Sequence, residues 1–356
     1  MIVIMLSRDP EVMRPGSAAS RRMDEYRSLC AKFYVLVFDP RRGKFTAVRD
    51  LYTSAREAIM REQGSGDKIL ITAQDPFEVG LVGALLKQRF GCSLELQIHT
   101  DLLSPFFKAE SLKNKIRLLI ARRILPKADC IRVVSERIKN SVLLWVPALD
   151  PRRVRVQPIF VDTSKFGHKE VAFRSGPFVF VAVSRLSQEK NIILLLEAFR
   201  EVLRKEKNVH LVIVGDGPER KNLGRAARAM VIQNAVEFVG WQAENLADYY
   251  ASAECYVLTS NYEGYARSVI EAMAASLPVI MTDVGIAREI VKDNINGLIV
   301  PVGDVHALVS RMLWVMRDEA LRTTLRQNAR ISALQLTSKE AYLKTTKDAW
   351  EFCCHI

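Results

Sequence analysis

FVFVAVSRLSQEKNIILLLEAFREVLRKEKNVHLVIVGDGPER, residues 178–220, decides the fold class of this chain. Phe178–Val183 is an unbroken apolar run of the length of a buried strand, and Ile192–Lys205 then repeats apolar residues with the period of a helix. A second apolar run, Val209–Val214, follows and ends on Gly215-Asp216-Gly217-Pro218. A strand, a helix and a strand in close succession make a parallel pair joined by a crossover helix.

The same alternation runs outward in both directions. Downstream, strands are expected at Val236–Val239, Cys255–Leu258, Val279–Thr282 and Gly297–Val300. Helices are expected between and after them at Pro218–Val231, Ala243–Ala251, Arg267–Ala275, Ala287–Val291, Val305–Arg317, Glu319–Arg330 and Lys339–Phe352. Upstream, strands are expected at Ile2–Leu6, Phe33–Phe38, Lys68–Thr72, Leu94–His99, Cys130–Val134 and Val154–Gln157, with helices around Ser20–Cys30, Ser54–Gln63 and Val79–Phe90. The stretch Ile159–Gly176 is polar and irregular, and the interdomain connection is placed there. The expected architecture is α/β: two Rossmann-like, doubly wound domains, 1–160 and 161–338, with helix 339–356 packing back toward the first. In such sheets ligands bind beyond the carboxyl ends of the strands, so the expected site is a cleft onto which those ends face.

Composition narrows the class. Hydrophobic residues are 49% of the chain and charged residues 26%, as in an ordinary globular protein. No apolar run reaches the length of a membrane span, and Met1–Leu6 reads as a first strand rather than a signal peptide. The six cysteines form no CxxC and no metal-ligand spacing with the five histidines, which suits free thiols in a cytoplasm. The net charge of +12 is uneven: residues 1–165 hold 29 Lys and Arg against 18 Asp and Glu, residues 166–356 hold 23 against 22. A basic half attracts an anionic surface, or is simply solvated.

Three loops after strands in the second half carry the chemistry. Arg185 and Lys190 flank a turn that opens a helix, where two cations and free backbone N–H groups suit a diphosphate. Gly215 and Gly217 permit a tight turn before Pro218, which by itself needs no ligand. Glu263 precedes Gly264, Tyr265, Ala266 and Arg267, and Glu271 lies eight residues on, along the helix so opened. Carboxylates accept hydrogen bonds from the paired hydroxyls of sugars and ribose.

In this order and spacing the loops resemble the retaining glycosyltransferases of the GT-B fold, family GT4, strongly over residues 178–330 and more loosely before. The family's Arg-Leu-x-x-x-Lys turn, Gly-Asp-Gly-Pro turn and Glu-x7-Glu element match Arg185/Lys190, Gly215–Pro218 and Glu263/Glu271. The continuation through Pro278-Val279-Ile280, Asp283–Glu289 and Asn296-Gly297-Leu298 matches too. The resemblance implies that Arg185 and Lys190 neutralise the diphosphate of a UDP- or GDP-linked sugar donor. It implies that Glu271 binds the ribose, that Glu263 binds the transferred hexose, and that Gly264, Tyr265 and Ala266 touch the sugar or its phosphate. Gly16-Ser17 stands where the family has a glycine loop, and His99 where it has a histidine facing the reacting sugar. Departures are Ser17 and Ser276 for usual glycines and Arg267 for a usual apolar residue, which alters expected sugar contacts.

The chain has no Asp-x-Asp, the element expected where Mg²⁺ holds a sugar diphosphate, so no metal and no other cofactor is expected. An epimerase or hydrolase of the same plan, or a silent basic subunit, shares much of this pattern; no aromatic-basic interleaving supports nucleic acid. The acceptor is expected to be a glycan or a lipid-linked sugar, in polysaccharide or glycolipid synthesis. Lys108–Arg123 reads as one helix with Leu112, Ile116, Leu119 and Ile120 on a single face and five cations elsewhere. Such a helix either packs that face into the core or lies on an anionic membrane, which would place a cytoplasmic enzyme at the inner face of the plasma membrane.

Overall fold

The computed structural model describes residues 1–167, 176–242 and 244–355. The chain divides into two compact units, Met1–Phe160 with Thr337–Ile356, and Val161–Leu336. Part of the expected connection, 168–175, and the expected helix start at 243 lie outside the described residues.

Each unit is built on one six-stranded parallel sheet, and all twelve expected strands are present with their ends within one residue of expectation. The first unit holds β1 (Ile2–Ser7), β2 (Lys32–Val37), β3 (Ile69–Ala73), β4 (Ser93–Ile98), β5 (Cys130–Val133) and β6 (Val154–Val156). Their order is β2-β1-β3-β4-β5-β6. Between them run α1 (Ala18–Arg27), α2 (Lys44–Glu62), α3 (Glu78–Phe90), α4 (Pro105–Glu110), α5 (Leu112–Ile124) and α6 (Glu136–Trp145). β1 pairs with neighbours on both sides and every residue of it is buried, which is why its sequence is continuously apolar rather than alternating.

The second unit holds β7 (Phe178–Val183), α7 (Ile192–Lys205), β8 (Val209–Val214), α8 (Arg220–Ala229), β9 (Val236–Gly240), α9 (Leu246–Ala251) and β10 (Cys255–Leu258). It continues with α10 (Arg267–Ala274), β11 (Val279–Thr282), β12 (Leu298–Val300), α11 (Val305–Arg317) and α12 (Glu319–Leu334). The sheet order is β12-β11-β10-β7-β8-β9, the doubly wound order in which the chain reverses direction between β7 and β10. At that reversal the loops after β7 and β10 leave on opposite sides, opening a crevice at the carboxyl edge.

Three expected helices differ. The one expected around Ser54–Gln63 begins ten residues earlier, as α2 (Lys44–Glu62). Ala287–Val291 is a set of turns closed by a bridge between Ala287 and Val291, because Gly285 (φ 53°) and Arg288 (φ 66°) adopt left-handed backbone that a helix does not accommodate. The single helix expected over Lys108–Arg123 is two, α4 and α5. Ser111 is extended, and its hydroxyl accepts from Asn114 N at 3.1 Å, starting a new helix with its own cap.

The last helix, α13 (Lys339–His355), belongs to the first unit. Trp350 is fully buried beside Tyr26 and Phe33, ring centroids 5.5 and 6.1 Å away. The Tyr342 and Tyr26 hydroxyls lie 2.7 Å apart, and Gln157 Nε2 donates to Thr346 Oγ1 at 2.6 Å. A segment remote in sequence thereby closes the core under β1. Trp350→Ala should lower the unfolding free energy of this unit by about 3–5 kcal/mol through lost burial and the cavity left behind. Urea unfolding followed by circular dichroism measures it; an unchanged midpoint would show that α13 contributes nothing to this core.

Candidate active site

The crevice of the second unit is lined by the residues that the sequence singles out. After β7 the chain runs through Ser184 and the exposed Arg185 to a short 3-10 turn, Gln188–Lys190, and enters α7 at Asn191, which is left-handed (φ 47°). After β10 it runs through Thr259, Ser260 and Asn261 to Glu263. Hydrogen bonds stitch these two loops together. Asn261 N donates to Glu189 O at 2.8 Å, Asn191 Nδ2 to Asn261 Oδ1 at 3.0 Å, and Thr259 Oγ1 to the Lys190 and Asn191 carbonyls at 3.1 Å. Thr282, at the end of β11, donates to Ser260 O at 2.7 Å.

That stitching brings Lys190 Nζ to 2.6 Å from Glu263 Oε1, with side chains 20% and 10% exposed. Ser260 Oγ donates to the same carboxylate oxygen at 2.7 Å. Glu263 therefore enters the site already oriented by two donors, one of them charged. Gly285 lies beneath it: a Cβ there would stand 3.0 Å from Glu263 Cβ and 3.3 Å from Tyr265 O.

Gly264, Tyr265 and Ala266 are buried and lead into α10, whose preceding residue Ala266 is left-handed (φ 67°, ψ 63°) and supplies no side-chain cap. The first amides of α10 thus stand at the crevice without a side-chain acceptor, a site suited to an anion. One turn along α10, Glu271 Oε2 accepts from the buried Tyr250 hydroxyl at 3.0 Å. Burial, and then the Glu271 charge, raise the Tyr250 pKa well above its ordinary value, so the phenol stays a donor. Arg267 reaches toward Glu271 from the exposed side at 3.8 Å.

Gly215 and Gly217 act on the site through the Arg185 loop. Leu186 N donates to Asp216 O, and Glu219 N to Leu186 O, both at 2.9 Å. A Cβ on Gly215 would fall 1.9 Å from Ser184 O, and one on Gly217 2.3 Å from Leu186 O. The two glycines are needed because backbone meets backbone there.

The remaining expected residues, Gly16, Ser17 and His99, lie in the first unit. Gly16 has φ 78°, and Ser17 caps α1, accepting from Ser20 N at 2.9 Å while donating to Glu11 O at 2.6 Å. The Ser17 hydroxyl is therefore occupied by its own turn. His99, at the carboxyl end of β4, shares a 3.0 Å hydrogen bond between Nε2 and Gln97 Oε1. Behind it a chain of buried polar groups runs along the sheet: Gln97 Nε2 donates to Thr72 Oγ1 at 2.7 Å, and Thr72 Oγ1 to Glu95 Oε2 at 2.5 Å. The His99 side chain is exposed at the end of the strand; desolvation by its surroundings, with repulsion from Arg132 and Arg22, lowers its pKa and favours the neutral imidazole.

Sequence reading passes over several residues that position these groups. Tyr250 and the Thr259–Asn261 stitching are ordinary polar residues until their partners are known. The Glu95-Gln97-His99 series does leave a trace, a polar residue at every second place in a buried strand. At the first unit's own reversal point Arg8 bridges Asp75 (3.3 Å) and Glu78 (3.1 Å). The trace of that cluster is charge directly after two buried strands. Among the described residues no three His, Cys, Asp or Glu side chains come together as a metal site would need, and no helix is long and apolar enough to cross a membrane.

Known proteins share this arrangement. The chain is similar in structure to sucrose-phosphate synthase from Thermosynechococcus elongatus, with TM-score 0.81, 20% identity and 98% of each chain covered. It is also similar to Anabaena HepE in complex with UDP and glucose, with TM-score 0.78, 19% identity and 99% of each covered. At these identities the likeness establishes the two-sheet fold. In sequence it is 26% identical over 244 residues to the alpha-monoglucosyldiacylglycerol synthase of Streptococcus pneumoniae, 64% of this chain and 55% of that one. It is 27% identical over 220 residues to the lipopolysaccharide core biosynthesis glycosyltransferase LpsE of Rhizobium meliloti, 60% and 61% of the two. The chain thus spans little more than half the length of these curated relatives. Residues 164–332, which contain the whole crevice of the second unit, match the family described as Glycosyl transferases group 1.

Proposed function

We propose that this chain is a retaining, metal-independent glycosyltransferase of family GT4 that moves a hexose from a UDP- or GDP-linked donor to a glycan or lipid-linked acceptor. The observation that carries the reading is the meeting of Lys190 and Glu263 at the reversal of the second sheet, beside the uncapped start of α10. Cation, oriented carboxylate and helix N-terminus meet in one crevice, groups suited to a diphosphate and a hexose. The UDP and glucose of the HepE complex, and the glycolipid and lipopolysaccharide relatives, support the substrate class.

In this mechanism Arg185, Lys190 and the first amides of α10 take up the charge that grows on the departing diphosphate, the task a metal performs elsewhere. Lys190 divides its charge between Glu263 and the phosphate. Glu263 holds the hexose, Glu271 the ribose, and neutral His99, whose Nε2–H is taken by Gln97 Oε1, accepts a hydrogen bond at Nδ1 from a hydroxyl of the reacting sugar. The anomeric C–O bond to phosphate breaks as the acceptor oxygen bonds to the same face, and the acceptor's proton passes to the departing phosphate oxygen. The cation-rich helix α5 supports a location at an anionic membrane surface.

Three measurements test this. Donor turnover should survive a chelator unchanged; loss on chelation with recovery on adding Mg²⁺ would overturn the charge-substitution argument. Glu271→Gln should raise KM about tenfold with little change in kcat, because a ribose contact is alike in ground and transition states. Glu263→Gln should lower kcat by about 10²–10³-fold, with a melting temperature near wild type as the control. Free nucleoside diphosphate binding, by calorimetry, should weaken in the first variant only; the reverse pattern would exchange the two roles.

The third concerns pH. The folded-state pKa of His99 is lowered from an ordinary 6.5, so just below that pH the unfolded chain binds a proton there more readily than the folded chain does. Its contribution to stability is therefore complete above pH 6.5 and is lost as pH falls from 6.5 through the lowered folded-state pKa. The His99 ring resonances should titrate with a midpoint below pH 6.5, and the stability of His99→Asn should depend less steeply on pH than wild type below 6.5. A His99 titration near pH 6.5 would refute the neutral assignment.

A further inference from the structure

The apolar stripe of Leu112, Ile116 and Leu119 faces outward. These residues are 72%, 51% and 56% exposed, whereas Asn114, Leu118, Ala121 and Ile124, on the opposite side of α5, are buried. A three-turn helix with a core face and a second, solvated apolar face is over-supplied with apolar residues for packing alone. Cations flank that second face: Lys113 on one side, Lys115 and Arg122 on the other, and Arg123 in line with it, all exposed. Residues 111–127 contain six Lys and Arg and no Asp or Glu. Arg117 is not part of this surface. Its guanidinium holds Glu78 at 3.1–3.3 Å and covers the Phe77 ring at 5.1 Å.

A second exposed apolar group stands at the start of α2. Phe45 is 95% exposed, in the sequence Pro40-Arg-Arg-Gly-Lys-Phe45, where Gly43 (φ 86°) turns the chain into the helix. α2 and α5 both pack against α3, and Arg117 anchors the early part of α5 to Glu78, the first residue of α3. In a parallel sheet α2 and α3, each following a strand, begin at the same carboxyl edge. The field at Lys113 agrees: burial and Arg117 are the main causes lowering its pKa, and Arg8 and Lys44 add to them. Lys44, the neighbour of Phe45, is thus near the first turn of α5.

We propose that the start of α2 and the outer face of α5 form one docking surface for an anionic bilayer, with Phe45 entering the acyl boundary beside Leu112 and Ile116 while Lys44, Lys113 and Lys115 meet the headgroups; Arg41 and Arg42 beside them are paired with Asp39 and Asp50. This rests on the membrane location proposed above and adds its second foothold. Two points of insertion, rather than one helix, fix the tilt of the unit on the surface. Exposed cations on long stems reach headgroups while their methylenes lie along the apolar boundary.

The test uses the full chain with vesicles of phosphatidylcholine alone or with phosphatidylglycerol added. Wild type should bind only the anionic vesicles, less at high salt. Phe45→Ala should bind them about tenfold more weakly, with unchanged melting temperature because the residue is exposed. Lys113→Glu with Lys115→Glu should weaken binding at least tenfold. Phe45→Trp should gain blue-shifted emission on vesicle binding and be quenched by brominated lipid. If wild type binds but Phe45→Ala binds equally well and Trp at 45 stays in water, the α2 foothold is wrong while the membrane location stands. If wild type binds no vesicle, both fail, and concentration-dependent sedimentation would assign the face to a second copy of the chain.

Discussion

The pairing of β7 with β10, strands 72 residues or more apart in sequence, is the constraint on which the site depends. Because consecutive strands build outward from β7 on one side and from β10 on the other, the loops that follow them diverge and leave a crevice. Every group of chemical interest in the second unit is placed by that divergence. Lys190 belongs to one bank, Glu263 to the other, and the Asn191, Thr259 and Asn261 hydrogen bonds hold the banks in register.

Holding them there costs conformational freedom. Asn191, Ala266 and Arg288 are left-handed although none is glycine, and Ser276 (φ 62°) is so too, at a position where glycine is usual in the family it resembles. Such backbone costs of order 1 kcal/mol or more each and survives only where surrounding structure over-determines it. Here the surroundings are tight: Gly215 and Gly217 let one loop lie directly on another, and Gly285 lets a turn pass under Glu263. Asn191, Ala266 and Arg288 lie in the loops after β7, β10 and β11, whereas Val231, Ser276 and Asn294 lie elsewhere in the unit, and the glycines around the crevice are required by proximity as much as by turn type.

The first unit solves a different problem, that of orienting a neutral histidine at a sheet edge. It does so with polar groups along β3 and β4 joined in series by hydrogen bonds: Glu95, Thr72, Gln97, then His99. Glu95 also lies in the field of the buried Arg132, whose guanidinium is held firmly protonated. The Gln97 end of the series sets the orientation of the terminal ring, while the other Glu95 oxygen, Oε1, is buried without a hydrogen-bond partner.

The sequence by itself determined the strands and most helices, because apolar period, caps and turn residues act over a few neighbouring positions. It also marked Arg185, Lys190, Glu263 and Glu271, through an order and spacing that resemble a known family; taken singly, such charges are common on solvated loops. Only the tertiary structure decided who meets whom. Lys190 finds Glu263 across 73 residues, Tyr250 holds Glu271 from another helix, and Trp350 closes a core begun at Met1. The same limit applies to α5: its periodicity shows an apolar face, yet α3 packs against the other side. Period is a local property of the chain, whereas partner and facing are set by elements brought together from far along it.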